Sequence, residues 1–215
     1  MFIELVDSLR CVSAHEDTWL VAGVTRMDGR RIVEGKLGCP VCRREYPIRD
    51  GVAWFAGTPS DPEASRLTPL PAVATEDRAM RAAALLGLTE AGGIVVLGGS
   101  WADCADAIAE LSPSHVVVLN RAIPIDAPQT VSCLVVGDRL PFAAGSVRAV
   151  ALDAELAATS LGSATGALRA RGRLVAPAST PVPPDVSELA RDEQDWVAER
   201  VAVASPPVAL RSARR

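Results

Sequence analysis

A chain of 215 residues with 49% apolar and 22% charged residues has the make-up of a globular protein able to bury a core, which excludes wholesale disorder and fibrous repeats. With 22 Lys+Arg against 26 Asp+Glu the net charge is −4, and this excludes a chain-wide basic surface for nucleic acid. Five cysteines, at positions 11, 39, 42, 104 and 133, are an odd number and a poor disulfide framework.

The opening Met1-Phe-Ile-Glu-Leu-Val-Asp has no basic stretch leading into an apolar one, and no apolar run approaches the ~20 residues that span a bilayer. The expectation is a cytoplasmic protein that does not enter membranes. Leu20-Val-Ala-Gly-Val and Arg31-Ile-Val-Glu-Gly-Lys-Leu flank Met27-Asp28-Gly29, where Asp-Gly supplies the positive φ of a tight turn, so a β-hairpin is predicted. Gly51-Val-Ala-Trp-Phe closes a first unit over residues 1–56. A proline-rich linker is predicted for 57–74, because proline denies the backbone both helix and ladder donors.

From Thr75, an N-cap candidate, Met80, Ala83, Ala84, Leu85 and Leu88 recur at helical spacing. Strand and helix then alternate. Gly93 to Gly99 reads as a buried strand, Ala102 to Leu111 as a helix, and His115 to Asn120 as the next strand. Cys133 to Asp138, Val147 to Asp153 and Gly172 to Pro177 continue the series. Short apolar strands separated by helical patterns imply an α/β fold, a doubly wound parallel sheet over 75–215. After Pro181-Val-Pro-Pro, residues 186–201 read as a mostly charged helix carrying Leu189, Trp196 and Val197, and the last ten or so residues as at most one short strand.

The chemistry-bearing residues of the first unit are Cys11, His15, Cys39 and Cys42. Cys-x2-Cys lets two thiolates wrap one ion, and a tetrahedral zinc needs a second ligand pair, which Cys11-Val-Ser-Ala-His15 supplies at the other end of the hairpin. The alternative is that these cysteines are small buried hydrophobes and His15 an exposed polar residue. Cys104 and Cys133 fall in the α/β part and read as inert buried thiols. His115 reads as a surface residue rather than a catalytic base.

Leu5-Val-Asp-Ser-Leu-Arg-Cys and Leu37-Gly-Cys-Pro-Val-Cys-Arg-Arg-Glu-Tyr-Pro-Ile-Arg-Asp-Gly-Val-Ala resemble the small zinc-ribbon activator subunits of tRNA, rRNA and release-factor methyltransferases, with Tyr46-Pro-Ile-Arg-Asp-Gly51 the most specific part. The resemblance covers residues 1–55. It implies zinc and a methyltransferase as partner, or docking of the unit on its own neighbour. In that family the first ligand pair is usually Cys-Pro-x-Cys, whereas here Cys11 is followed by His15.

In the second unit the ligand loop of a doubly wound sheet would be Leu97-Gly98-Gly99-Ser100-Trp101-Ala102, at the switch point after the first strand. Two glycines there serve a ligand or a tight turn equally well. Val136-Gly-Asp138-Arg-Leu-Pro-Phe142 and Ala167-Leu-Arg-Ala-Arg-Gly172-Arg-Leu-Val-Ala-Pro resemble the corresponding segments of class I S-adenosylmethionine (SAM) methyltransferases. That resemblance implies a SAM site lined by Gly98 and Gly99, with Asn120 at the ribose, Asp138 at the adenine and Asp153 facing the acceptor. Against the family's first motif, Val96 replaces an acid, Ser100 and Ala102 replace glycines, and Asn120 replaces the ribose-binding acid. Full members also carry an antiparallel hairpin after the fifth strand, which the helical reading of 186–201 leaves no room for. The expectation is therefore a zinc ribbon fused to a truncated methyltransferase-like sheet with an eroded SAM pocket, acting as a binding or regulatory module. Self-association is one further expectation for partners. The alternatives are an active SAM-dependent methyltransferase with an atypical motif, and an RNA-contacting module using Arg43, Arg44 and Arg49.

Overall fold

A computed structural model describes residues 1–58, 68–69, 74–122 and 128–201; the expected linker lies mostly, and the expected final strand wholly, outside them. After a 3₁₀ turn at Ile3–Ser8, the chain forms β1 (Val21–Asp28), β2 (Arg31–Gly38), β3 (Glu45–Arg49) and β4 (Val52–Trp54), an antiparallel meander. The predicted first turn is present: Asp28 pairs with Arg31, and Gly29 adopts φ 55°. Asp50 and Gly51, at φ 50° and 78°, make the equally tight turn from β3 to β4.

Beyond β5 (Thr68–Pro69), the α/β part runs α1 (Glu76–Leu86), β6 (Ile94–Gly98), a 3₁₀ turn at Gly99–Cys104, α2 (Ala105–Leu111) and β7 (His115–Leu119). Then come β8 (Arg121–Ala122), β9 (Val131–Val135), β10 (Val147–Ala151), α3 (Ala154–Ala167), β11 (Leu168–Pro177), β12 (Val186–Arg191) and β13 (Asp195–Arg200). Thr75 caps α1 as expected, its side chain accepting from Arg78 N–H, and Gly87 ends the helix in the left-handed conformation. The predicted helix from Ala102 begins as the 3₁₀ turn and becomes α-helical only at Ala105.

All the strands except the short parallel pair β5–β8 belong to one eleven-stranded sheet, ordered β1-β2-β3-β4-β9-β7-β6-β10-β11-β13-β12. Strands β9, β7, β6, β10 and β11 are parallel, and β13 runs antiparallel to both β11 and β12. The α/β class and the doubly wound parallel sheet are as predicted. The truncation is not: the segment read as a charged helix is the β12–β13 hairpin, so the sheet has its two closing strands. The physical reason is local. Asp192 Oδ1 accepts from the N–H groups of Gln194 and Asp195, each at 2.9 Å, and this side-chain turn reverses the chain inside a run that composition alone reads as helical. Trp196, Val197 and Ala198 are then buried in succession, and the Trp196 indole donates to Thr180 O at 2.8 Å.

The two units share one structure. Residues Val52, Ala53 and Trp54 of β4 pair in parallel with Cys133, Leu134 and Val135 of β9, and Phe55 N donates to Val135 O at 2.8 Å. The segment before β1 adds a second seam: Arg10 N donates to Pro141 O, Ala143 N donates to Ser8 O, and Leu9 bridges Phe142. Alternation along the parallel strands divides the core into two. Val95, Leu97, Val116 and Val118 face α1 and α2. Val96, Val117, Leu134 and Val150 face α3 together with Leu5, Leu9, Ile32, Leu37 and Ile48 of the first unit, so the meander covers a face that a helix would otherwise cover.

His115, expected at the surface, is instead packed at the start of β7. Its ring stacks on Phe2 at 4.8 Å, Nε2 meets Ser132 Oγ at 3.0 Å, and Nδ1 has no hydrogen-bond partner among the described residues. Burial, then the positive charges of the Met1 amine and Arg31, push its pKa from 6.5 down to about 4. The unfolded chain therefore takes up a proton at His115 that the folded chain refuses, and stability complete above pH 6.5 is lost as pH falls toward about 4. His115→Gln is expected to flatten this loss in thermal denaturation followed by circular dichroism; parallel losses in both proteins would assign it to other groups.

Candidate metal centre and the crevice above the parallel strands

The four predicted ligands come together. Cys11 opens a loop closed by Cys11 N donating to Thr18 O, and within it His15 N donates to Ser13 O. Across from it, Cys39 and Cys42 lie in the turn between β2 and β3, where Arg43 N donates to Cys39 O and Cys39 N to Arg44 O; Arg43 adopts φ 58° to complete the knuckle. One ligand atom from each residue lies within 4.8 Å of all the others. Cys11 Sγ is 3.6 Å from Cys42 Sγ, and Cys39 Sγ is 3.4 Å from His15 Nε2. Ligands about 2.0–2.3 Å from one tetrahedral ion stand about 3.3–3.8 Å apart, so these separations fit zinc.

The surroundings orient His15 and favour the thiolate at Cys11 and Cys42, while burial raises the Cys39 thiol. His15 Nδ1 donates to Glu16 O at 2.7 Å, which turns Nε2 toward the thiols. Burial raises the Cys11 thiol, but hydrogen bonds from Tyr46 and Ser13 outweigh it and bring the group down to about 6. Tyr46 OH, 3.0 Å from Cys11 Sγ, also accepts from Val12 N, so one buried phenol fixes both the ligand and its loop. Sequence reading quoted Tyr46 within its most specific segment but gave it no part in the cluster; its position two residues into β3 was the available signal.

Cys104 and Cys133 are fully buried, and burial pushes Cys133 up to about 12. Both match the inert reading.

In the α/β part, Gly98 ends β6, and a Cβ there would run into the Leu156 side chain; at Gly99, which has φ 60°, it would run into the Asp153 carboxylate. Asp153 caps α3, Oδ1 accepting from Leu156 N at 3.0 Å. The first turn of α3 therefore lies on both glycines. Asn120 adopts φ 54°, and its Oδ1 accepts from Val136 N at 2.7 Å, so its acceptor holds the loop after β9. Gly99 and Asn120 line a cavity of about 270 Å³ with Leu119, Arg121, Asp153, Glu155 and Leu156. Asp138 is exposed and contributes nothing to that lining.

A larger cavity of about 490 Å³, which sequence reading missed, adjoins it at Asp153 and is bounded by Arg78, Arg81, Ser100, Trp101, Pro177 and Asp195 among others. Its walls come from α1, from the ends of β6 and β11, and from the turn of the β12–β13 hairpin. No single stretch of sequence announces it.

Residues 27–51 match the family model described as Trm112p-like protein. A comparison with curated proteins finds no match. Among solved structures, the chain is similar to the antibiotic-resistance methyltransferase Kmr, at 15% identity over 63% of this chain and 98% of that one, with a TM-score of 0.40. It is also similar to a candidate S-adenosyl-L-methionine-dependent methyltransferase from Methanococcus maripaludis, at 9% identity over 60% and 86% of the two chains and a TM-score of 0.43. MycE methyltransferase from the mycinamycin biosynthetic pathway matches at 9% identity over 68% and 53%, with a TM-score of 0.45.

Gly99→Ala tests the packing of α3 on the crevice. It is expected to cost more than about 2 kcal/mol in chemical denaturation, from strain at positive φ and from the clash. In an Asp153→Ala background the cost should shrink, because only the clash is relieved. The N-terminal unit carries a segment similar to the Trm112p-like family model, from the end of β1 through β2, the cysteine knuckle and β3, joined to a doubly wound parallel sheet.

Proposed function

We propose that this protein is a binding or regulatory module in which a zinc ribbon braces its own methyltransferase-like domain, and in which the SAM side of that domain is closed. Zinc would be held by Cys11, His15, Cys39 and Cys42 and would supply folding energy to a β unit too small to hold itself together by its core alone. The activator resemblance of the first unit takes on a specific sense here, since its partner surface is β9 of the same chain.

One observation carries the reading of the second unit: Asp153 and Leu156 fill the space that a side chain at Gly99 and Gly98 would take, so the two glycines serve the packing of α3 on β6. Glycines that serve an internal contact need not serve a cofactor. Asn120 supports the same reading. An ionised acid there would offer charge-assisted acceptors to a ribose, whereas the amide oxygen is already used by Val136 N. Ser100 and Ala102 add side chains where the family resemblance implies bare backbone.

The test is calorimetry of the purified full chain with SAM and S-adenosylhomocysteine, together with metal analysis. Zinc bound at one ion per chain, lost with lowered thermal stability on chelation or in Cys42→Ser, is expected alongside no binding of either nucleoside at micromolar concentrations. Micromolar binding of SAM would instead make the protein an active methyltransferase candidate, with Asn120 and Asp138 as its nucleoside contacts. Protein free of zinc and indifferent to chelation would sink the ribbon.

A further inference from the structure

We infer that the larger cavity above β6, β10 and β11 is a binding site for a small organic cation, a protonated amine held by the Asp153 carboxylate against the Trp101 indole. The inference rests on the reading that the SAM side is closed, which leaves this cavity to act on its own.

Position is the first argument. The sheet order reverses between β6 and β10, and an open α/β sheet binds ligands in the crevice outside the carboxyl ends of its strands at such a point. Ser100 follows β6, Asp153 follows β10 and Pro177 ends β11, so the cavity occupies that crevice. At about 490 Å³ it falls among ordinary small-molecule sites, which run from about 300 to 1,000 Å³.

The charges then select the ligand. Arg81 is already bound by two acids, Asp192 at 2.8 Å and Asp195 at 3.1 Å. Arg78 donates to Ser100 O at 2.8 Å and lies 3.9 Å from Asp103. Asp153 makes no ion pair among the described residues; its Oδ1 accepts from Leu156 N, and Oδ2 lies over Gly99. Of the four charged groups that line the cavity, Arg81 is thus matched by Asp195 and by Asp192 outside the lining, Arg78 lies beside Asp103 outside it, and Asp153 is the carboxylate left without a cation among the described residues. An anion would meet Asp153 with both arginines already engaged, whereas a cation supplies the missing partner.

Trp101 completes the site. The residue is 7% exposed and forms part of the same cavity wall as Asp153, and an aromatic ring and a carboxylate in one cavity are groups that attract ammonium ions. The hairpin turn carrying Asp192 and Asp195 is tied to α1 through Arg81, so that wall is built from both ends of the domain.

The experiment titrates the full chain with choline, putrescine and spermidine, each with and without SAM, and with inorganic phosphate as the anionic control. Saturable binding of at least one amine without SAM is expected. It should weaken as salt rises and fall by about 10-fold or more in Asp153→Asn, which keeps the helix cap and removes the charge. Trp101→Leu should weaken it as well. Circular dichroism checks that the folds are unchanged. Amines that bind only with SAM present would overturn the closed-pocket reading and leave the cation site as an acceptor pocket. No amine binding, a preference for phosphate, or equal binding by a folded Asp153→Asn would overturn the inference itself.

Discussion

Three residue pairs, Val52 with Cys133, Ala53 with Leu134 and Trp54 with Val135, turn two sheets into one. A parallel α/β sheet must end somewhere, and an unpaired edge is a liability that proteins cover, shorten or charge. Here β9 would be that edge, and β4 covers it. The rest follows from this join. With β4 fixed, the meander lies over the same face as α3, Leu9 and Ile48 enter the core beside Val117 and Leu134, and the chain before β1 runs along Pro141 to Ala143. The Cys/His cluster draws on the loop before β1 and the turn between β2 and β3, two segments of the same meander.

The same economy operates in the crevice. A helix that begins directly after β10 needs a cap, and Asp153 provides it; the cap then brings the carboxylate onto Gly99 and Leu156 onto Gly98. Local helix chemistry thereby decides how much room is left above β6. The volume that remains is divided, about 270 Å³ on the Asn120 side and about 490 Å³ on the hairpin side, with Asp153 on both.

Much of this was legible in the chain, and the reasons differ by element. The parallel strands announce themselves because strands buried on both faces are continuous apolar runs, as in Ile94-Val-Val-Leu and His115-Val-Val-Val-Leu. The Cys/His cluster was readable because coordination imposes short fixed spacings, and Cys39-x2-Cys42 with Cys11-x3-His15 has the spacing that a metal site would need. The β12–β13 hairpin was hidden because β12 is an outer strand with one buried residue, Val186, and an acidic turn, so its composition matches an exposed helix. Asp153 over Gly99 was hidden for a different reason. Nothing in a helix N-cap tells which neighbouring loop it will touch, since that contact is fixed only when β6 and β10 are side by side. Asn120 was readable as a departure from a motif but not as a loop clamp, because its partner, Val136 N, is sixteen residues away.

The cis pairing of β4 with β9 also changes what concentration means for this protein. Two separate chains meeting through such an edge associate according to their abundance and part when diluted. Segments of one chain meet at an effective concentration set by the tether, on the order of millimolar for a short flexible one. The first unit is thus always present at one copy per sheet, and no competitor recruits it without first opening the fold.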